Sequence, residues 1–211
     1  MTLREPEPWT VAAERMVADQ ILSRGVSDPA VLRAMRSVPR HLFVPEVDRG
    51  RSYDDGPLAI GRGQTISQPF IVALMTELAR LTPASRVLEV GTGCGYQTAV
   101  LAGCAGEVWT VEIEPELSEG AASTLAALRI GSVHRRVGDG SLGWPEAAPF
   151  DAIVVTAAPA DVPPALLDQL GEGSRLVIPL GTSSQDLFVF TREAGGIRRE
   201  REIAVRFVPL R

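Results

Sequence analysis

Between Val87 and Tyr96 the chain reads VLEVGTGCGY, an apolar run that ends in a carboxylate and then places a glycine at every second position. Val87, Leu88 and Val90 have the composition of a short buried strand, and Gly91, Gly93 and Gly95 free the backbone to turn tightly at its carboxyl end. Tyr96 to Ala102 then has helical composition. Strand, glycine loop and helix in that order open a nucleotide-cofactor unit, because the loop lets a ligand approach bare main chain at the helix start. Glu89 separates the cofactor classes. A pyrophosphate favours amides or cations at that point, whereas a negative charge just before the loop suits a ligand that carries positive charge. A glycine loop alone is a weak signal, and the bland alternative is a tight turn that binds nothing.

S-adenosylmethionine carries a sulfonium and an ammonium, and the spacing Glu89, Gly91, Gly93, Gly95, with Thr92 inside the loop, resembles the first motif of the class I methyltransferases. Val108 to Ile113 next alternates as a strand with Glu112 at its tip. That acid lies about twenty residues past the loop, where a carboxylate meets ribose hydroxyls. Its alternative, shared with Glu114, is to cap a helix that starts at Pro115. Val133 to Val137 reads as a further strand, followed by Gly138, Asp139 and Gly140. An acid between glycines at a strand end can accept from an adenine amino group while the next amides approach the ring; a plain surface turn is the alternative.

The rest of the chain fits around that unit. Trp9 to Arg24 has helical periodicity and stops at Gly25, and Asp28 with Pro29 opens a second helix to about Arg36. Ser37 to Pro69 is a proline- and glycine-rich passage, longer than the roughly 12 to 15 residues of ordinary connections, with enough apolar and aromatic residues to be ordered. Ser67 to Arg80 is helical again. Asp151 to Thr156 and Arg175 to Leu180 read as strands with a helix from Pro163 to Leu170 between them, and Asp186 to Thr191 and Gly196 to Leu210 as two longer strands joined by a turn. The expected fold is α/β and Rossmann-like: a central, mostly parallel sheet with helices on both faces and an antiparallel strand near the C-terminus.

Composition narrows the function. A formal net charge of −5, with arginine as the only strongly basic residue type, argues against a phosphate-backbone footprint and so against nucleic acid. Cys94 and Cys104 have no histidine pair beside them, so neither a disulfide framework nor a metal site is indicated. The amino terminus lacks the apolar core of a leader, and no run of about 18 apolar residues occurs. A soluble cytoplasmic protein is expected, with no membrane role and with a monomer favoured.

Five passages carry a resemblance beyond the fold: VPRHLFVPE, YDDGPLAIGRGQTISQPFIVALMTELA, VLEVGTGCGYQTAVLA, GDGSLGWPEAAPFDAIVVTAA and the terminal VRFVPL. In order and spacing they resemble the protein L-isoaspartate O-methyltransferase family, over nearly the whole chain. GQTIS is the most specific of them, since it belongs to that family's active-site segment. The resemblance implies one methyltransferase domain over residues 1–211, in which 1–80 holds the N-terminal helices and substrate segment, 81–193 the cofactor core and 194–211 the closing strand. It implies methyl transfer from S-adenosylmethionine to the carboxyl of L-isoaspartyl, and more weakly D-aspartyl, residues in damaged proteins and peptides. Arg62, Phe70 and Cys94 depart from the family's commoner residues without removing a group that the chemistry needs. The rivals are an aspartate O-methyltransferase of peptide biosynthesis and a cofactor-binding protein without turnover.

A carboxylate is already ionised at neutral pH, so its methylation needs orientation more than a base. Ser67, with Thr65 and Gln64 beside it, offers hydroxyl and amide donors for that purpose, although Ser67 also suits the cap of the following helix. Ile66 and the tail residues Arg206, Phe207 and Val208 are expected to wall the substrate, the tail by extended peptide pairing and Arg206 by its charge, with an exposed strand residue as the alternative for Arg206. His41 and His134 lack triad or metal partners at useful spacing. The tryptophans, Trp9, Trp109 and Trp144, read as anchors.

Overall fold

The computed structural model describes residues 7–211, so most of the segment read for a leader, residues 1–6, lies outside the described residues. Two short strands, β1 (Leu58–Gly61) and β2 (Gln64–Ile66), form a separate antiparallel hairpin. The main sheet contains β3 (Arg86–Val90), β4 (Glu107–Glu112), β5 (Val133–Val137), β6 (Phe150–Val155), β7 (Leu170–Gly181), β8 (Gln185–Glu193) and β9 (Gly196–Val205), in the spatial order β5-β4-β3-β6-β7-β8-β9. Strands β3 to β7 pair in parallel, and β8 runs antiparallel to both of its neighbours. The mostly parallel sheet with an antiparallel strand near the C-terminus is therefore present.

The helices are α1 (Pro8–Met16), α2 (Pro29–Ser37), α3 (Pro69–Leu78), α4 (Tyr96–Ala102), α5 (Pro115–Ala127) and α6 (Pro164–Asp168). α1 continues through a π turn, Val17–Ile21, and a 3-10 turn, Leu22–Arg24, until Gly25 takes the left-handed conformation at φ 91°. Asp28 caps α2 as its sequence indicates, its carboxylate accepting from Ala30 N at 2.7 Å and Val31 N at 3.1 Å. No helix among the described residues is long and apolar enough to cross a membrane.

Alternation along the strands divides the core. Val87 faces Met75 and Ala79 in and beside α3 and Leu101 of α4, while Leu88 and Val90 pack on the other side with Phe150, Leu166 of α6 and Leu176. Each such large aliphatic side chain contributes about 1.5 to 3 kcal/mol when fully buried. A third cluster, with Met16, Ile21, Met35, Phe43 and Tyr96, docks α1, α2 and the Ser37–Pro69 passage onto α4.

That passage is ordered, as its apolar content implies, but it also contains the hairpin that the sequence pattern does not reveal. Its strands span only four and three residues, too few to establish a period. Two boundaries also move. β7 begins at Leu170, because Gly171, Gly173 and a register irregularity break the pattern of its first half. β9 ends at Val205, before the expected Leu210, because the tail leaves it to pair with Ala158: Ala158 N donates to Val208 O at 2.8 Å and Leu210 N to Ala158 O at 3.0 Å.

The strand order reverses between β3 and β6. In open α/β sheets ligands bind beyond the carboxyl ends of the strands at such a point.

Candidate functional site

A cleft opens at that point, and glycines make its floor. Gly91 has φ 96°, a backbone conformation that side chains disfavour. A Cβ there would also collide with Thr156 Oγ1, which donates to Gly91 O at 2.6 Å. A Cβ on Gly140 would likewise run into Val90 Cγ1. At the β3 and β5 ends the glycine backbone thus lies directly against side chains, those of Thr156 and Val90. Gly93 lies under Ile60 of the hairpin, whose Cδ1 is 3.4 Å from where a Cβ would stand. Gly95 plays a different part from the one expected: it does not line the cleft, and at φ 87° it brings the start of α4 against Ala121 of α5.

The acids separate by depth. Glu112, only 6% exposed, lines the cleft from the end of β4; its Oε2 accepts from Gly93 N at 2.7 Å and its Oε1 from Glu114 N at 3.0 Å. Glu114 occupies the cap position of α5, and no side chain caps that helix. Glu89 departs from its expected place. It shares the side of β3 that Val87 uses, beneath α4, and does not line the cleft; its Oε2 accepts from Thr98 Oγ1 at 2.5 Å and Thr110 Oγ1 at 2.6 Å. Burial pushes its pKa up to about 8, and Oε1 has no hydrogen-bond partner. Glu89 reaches the loop only indirectly, since Thr110 also bonds Thr92 through their hydroxyls at 2.6 Å. Asp139 is exposed at the rim and accepts from Ser141 N at 2.8 Å, as the cap of a 3-10 turn. Of the pair Asp139 and Gly140, only Gly140 lines the cleft.

A second groove adjoins the cleft, and Thr65, Ser67, Thr156 and Val208 line both. Gln64 and the buried Ile66 belong to the cleft wall, so Ile66 stands apart from the groove where a substrate role was expected. Ser67 is not the cap of α3. That helix starts at Pro69 with Gln68 in the cap position and no side-chain cap bond. Arg206, Phe207 and Val208 form the facing wall of the groove. They are held there by Gln185, whose amide brackets Phe207: Phe207 N donates to Oε1 at 2.6 Å and Nε2 donates to Phe207 O at 3.1 Å. Arg62, at the hairpin tip, pairs with Glu116 of α5.

Neither histidine enters the cleft or the groove. His41 Nδ1 is 2.9 Å from Tyr53 Oη, and His134 stacks on Trp109 with ring centroids 4.6 Å apart. No cluster of three or more histidine, cysteine, aspartate or glutamate side chains suited to a metal occurs among the described residues. Sequence reasoning missed Thr156, Gln185 and Arg40, which donates to Ser67 O at 2.8 Å from full burial. The only signal for Arg40 was its position inside VPRHLFVPE; Thr156 and Gln185 acquire their contacts through pairing distant in sequence.

The joined cleft and groove can hold a carboxylate among hydroxyls at the mouth of a cofactor site. Residues 12–211 match the family described as protein-L-isoaspartate(D-aspartate) O-methyltransferase. The chain belongs to that family. A protein-L-isoaspartate O-methyltransferase of Picosynechococcus sp. is 55% identical over 204 residues, covering 97% of this chain and 92% of the relative. One from Gloeobacter violaceus is 56% identical over 197 residues, covering 92% and 96%. Among solved structures, a Plasmodium falciparum protein assigned to this methyltransferase family, in complex with S-adenosyl-L-homocysteine, superposes with a TM-score of 0.82 at 27% identity, covering 98% of this chain and 99% of that one. Another protein-L-isoaspartate O-methyltransferase gives 0.84 at 30% identity; the match covers 93% of this chain and 65% of that longer one.

Proposed function

We propose that this chain transfers the methyl group of S-adenosylmethionine to the free carboxylate of L-isoaspartyl residues, and more weakly of D-aspartyl residues, in damaged proteins. The ester so formed cyclises to a succinimide that reopens in part to normal aspartate. The observation that supports the proposal is the shared wall of Thr65, Ser67 and Thr156, across which an acceptor in the groove would adjoin a cofactor in the cleft.

The cleft residues suit this cofactor. Glu112 retains lone pairs for ribose hydroxyls, the main chain of Gly91, Thr92 and Gly93 accommodates the amino-acid end, and Gly140 lies where a flat ring can approach the backbone. Asp139, at the rim, is assigned to the adenine edge. Glu89 and Gly95 support the loop from behind. Bound there, S-adenosylmethionine supplies an electrophilic methyl group on a sulfonium. The acceptor carboxylate, with a pKa of about 4, is already ionised at pH 7, so the protein must orient it without neutralising it. Ser67 and Thr65, with Gln64 beside them, do so by hydrogen bonds. Arg206, Phe207 and Val208 present backbone and one positive charge to an extended peptide, and Ile66 closes the wall behind.

We assign residues 1–211 to one catalytic domain, with 1–80 as substrate segment, 81–193 as cofactor core and 194–211 as closing strand. The enzyme works as a cytoplasmic monomer on protein, not nucleic acid. A repair enzyme must tolerate many neighbours of the damaged residue. Methyl transfer to a panel of isoaspartyl peptides with varied flanking residues should therefore proceed throughout. Dependence on one peptide sequence favours the biosynthetic aspartate methyltransferase instead, and cofactor binding without transfer to any peptide favours the non-catalytic reading.

A further inference from the structure

Arg40 is the bulkiest of the fully buried side chains, at 0% exposure, and it has no carboxylate partner among the described ion pairs. Its Nε donates to Ser52 O at 2.6 Å, its Nη2 donates to Ser67 O at 2.8 Å, and its guanidinium lies 4.8 Å over the Tyr96 ring. Nη1 has no partner. The titratable groups that act on its charge are Tyr96, Cys94 and Tyr53. Burial pushes their pKa values up to about 12, about 11 and about 12, so all three are neutral at physiological pH. A buried cation without a countercharge is strongly disfavoured unless something nearby answers it. What stands next to it is Ser67, at the junction of cleft and groove, followed by an α3 start that carries no acidic residue and no side-chain cap.

We infer that Arg40 is a positioning residue for the acceptor: its guanidinium fixes the Ser67 carbonyl, and its charge, acting through the Ser67–Gln68 peptide unit, attracts the carboxylate to be methylated. The intervening peptide matters. Direct pairing would hold the carboxylate as a salt bridge and blunt its attack on the methyl group. As methyl transfer proceeds, the carboxylate loses its negative charge, so the attraction is stronger in the bound ground state than in the transition state. Its removal must therefore raise KM without lowering kcat.

This inference rests on the proposed methylation of isoaspartyl peptides, and the test separates the two. Arg40→Met, Arg40→Gln and Arg40→Lys are compared with the unsubstituted enzyme for KM and kcat on one isoaspartyl peptide, with calorimetric binding of S-adenosylhomocysteine as the measure of an intact cleft. The expected result is a KM at least tenfold higher in Arg40→Met and Arg40→Gln, a kcat unchanged or modestly raised, cofactor-product affinity within about twofold, and a KM in Arg40→Lys within about threefold of the unsubstituted value. If Arg40→Met does not fold, the Gln and Lys variants decide. Equal KM defects in Gln and Lys, or unchanged KM with only kcat or melting temperature reduced, overturn the inference and leave the methylation reading intact. No turnover in the unsubstituted enzyme overturns both.

Discussion

Ser67 has a free role because α3 begins without it. Its backbone oxygen is taken by Arg40, the helix is capped by no side chain, and the residue belongs to the wall between cleft and groove. A hydrogen bond to a charged group contributes roughly 1.5 to 3 kcal/mol, so Ser67→Ala should lower kcat/KM about ten- to a hundredfold with little change in melting temperature. Unchanged turnover with reduced stability would give the residue a structural role only. Glu89 leads to a pH effect. With its pKa raised from 4.5 to about 8 by burial, the folded state holds a proton that the unfolded state has already released between those values. Its stabilising contribution is fully present below the lower value and is lost as pH rises through the upper one, by at most about 1.4 kcal/mol per pH unit. The gap between melting temperatures of the unsubstituted protein and Glu89→Gln should therefore shift steadily in favour of the variant from pH 5 to 8; parallel curves would contradict this. The sequence displays the charge of Glu89 but not its depth, which follows from its sharing a strand face with Val87. Arg40 was illegible for a more general reason: arginines are mostly exposed, and nothing local marks one that is buried.

Elements whose stability comes from local pattern were the easiest to read. α4 occupies Tyr96–Ala102 as its composition indicates, and the strands that flank the glycine loop fall within a residue or two of their expected limits. Elements fixed by distant partners were not. The β1–β2 hairpin depends on Ile60 resting over Gly93, and the tail depends on Ala158 and Gln185, 22 residues earlier than the Phe207 that it brackets. Loss of the Gln185 clasp should release Arg206 and Phe207 of the groove wall, while Val208 to Leu210, which also line the cleft, stay held by Ala158. Gln185→Ala is expected to raise KM for an isoaspartyl peptide severalfold, with affinity for S-adenosylhomocysteine nearly unchanged. A large loss of cofactor-product affinity would show instead that the clasp also holds the part of the tail that lines the cleft.

At the level of the whole molecule, the reversal of strand order between β3 and β6 sets the cleft, and the two segments that flank the sheet in sequence return to the same edge to form the groove. The N-terminal segment brings Thr65 and Ser67; the C-terminal tail brings Arg206, Phe207 and Val208. The residues that line both cleft and groove, Thr65, Ser67, Thr156 and Val208, include no acid or base, and on the proposed reading such a site distinguishes an acceptor by where its carboxylate hangs from the backbone. An isoaspartyl residue carries the carboxylate on a main chain one methylene longer than that of aspartate, while flanking side chains can be identical. The most direct measurement is therefore kcat/KM for two peptides of one sequence, differing only in an isoaspartyl or an aspartyl linkage, with S-adenosylmethionine saturating. Methylation of the isoaspartyl peptide with no measurable transfer to its aspartyl twin is the expected result; comparable methylation of both, or of the aspartyl peptide alone, would contradict it.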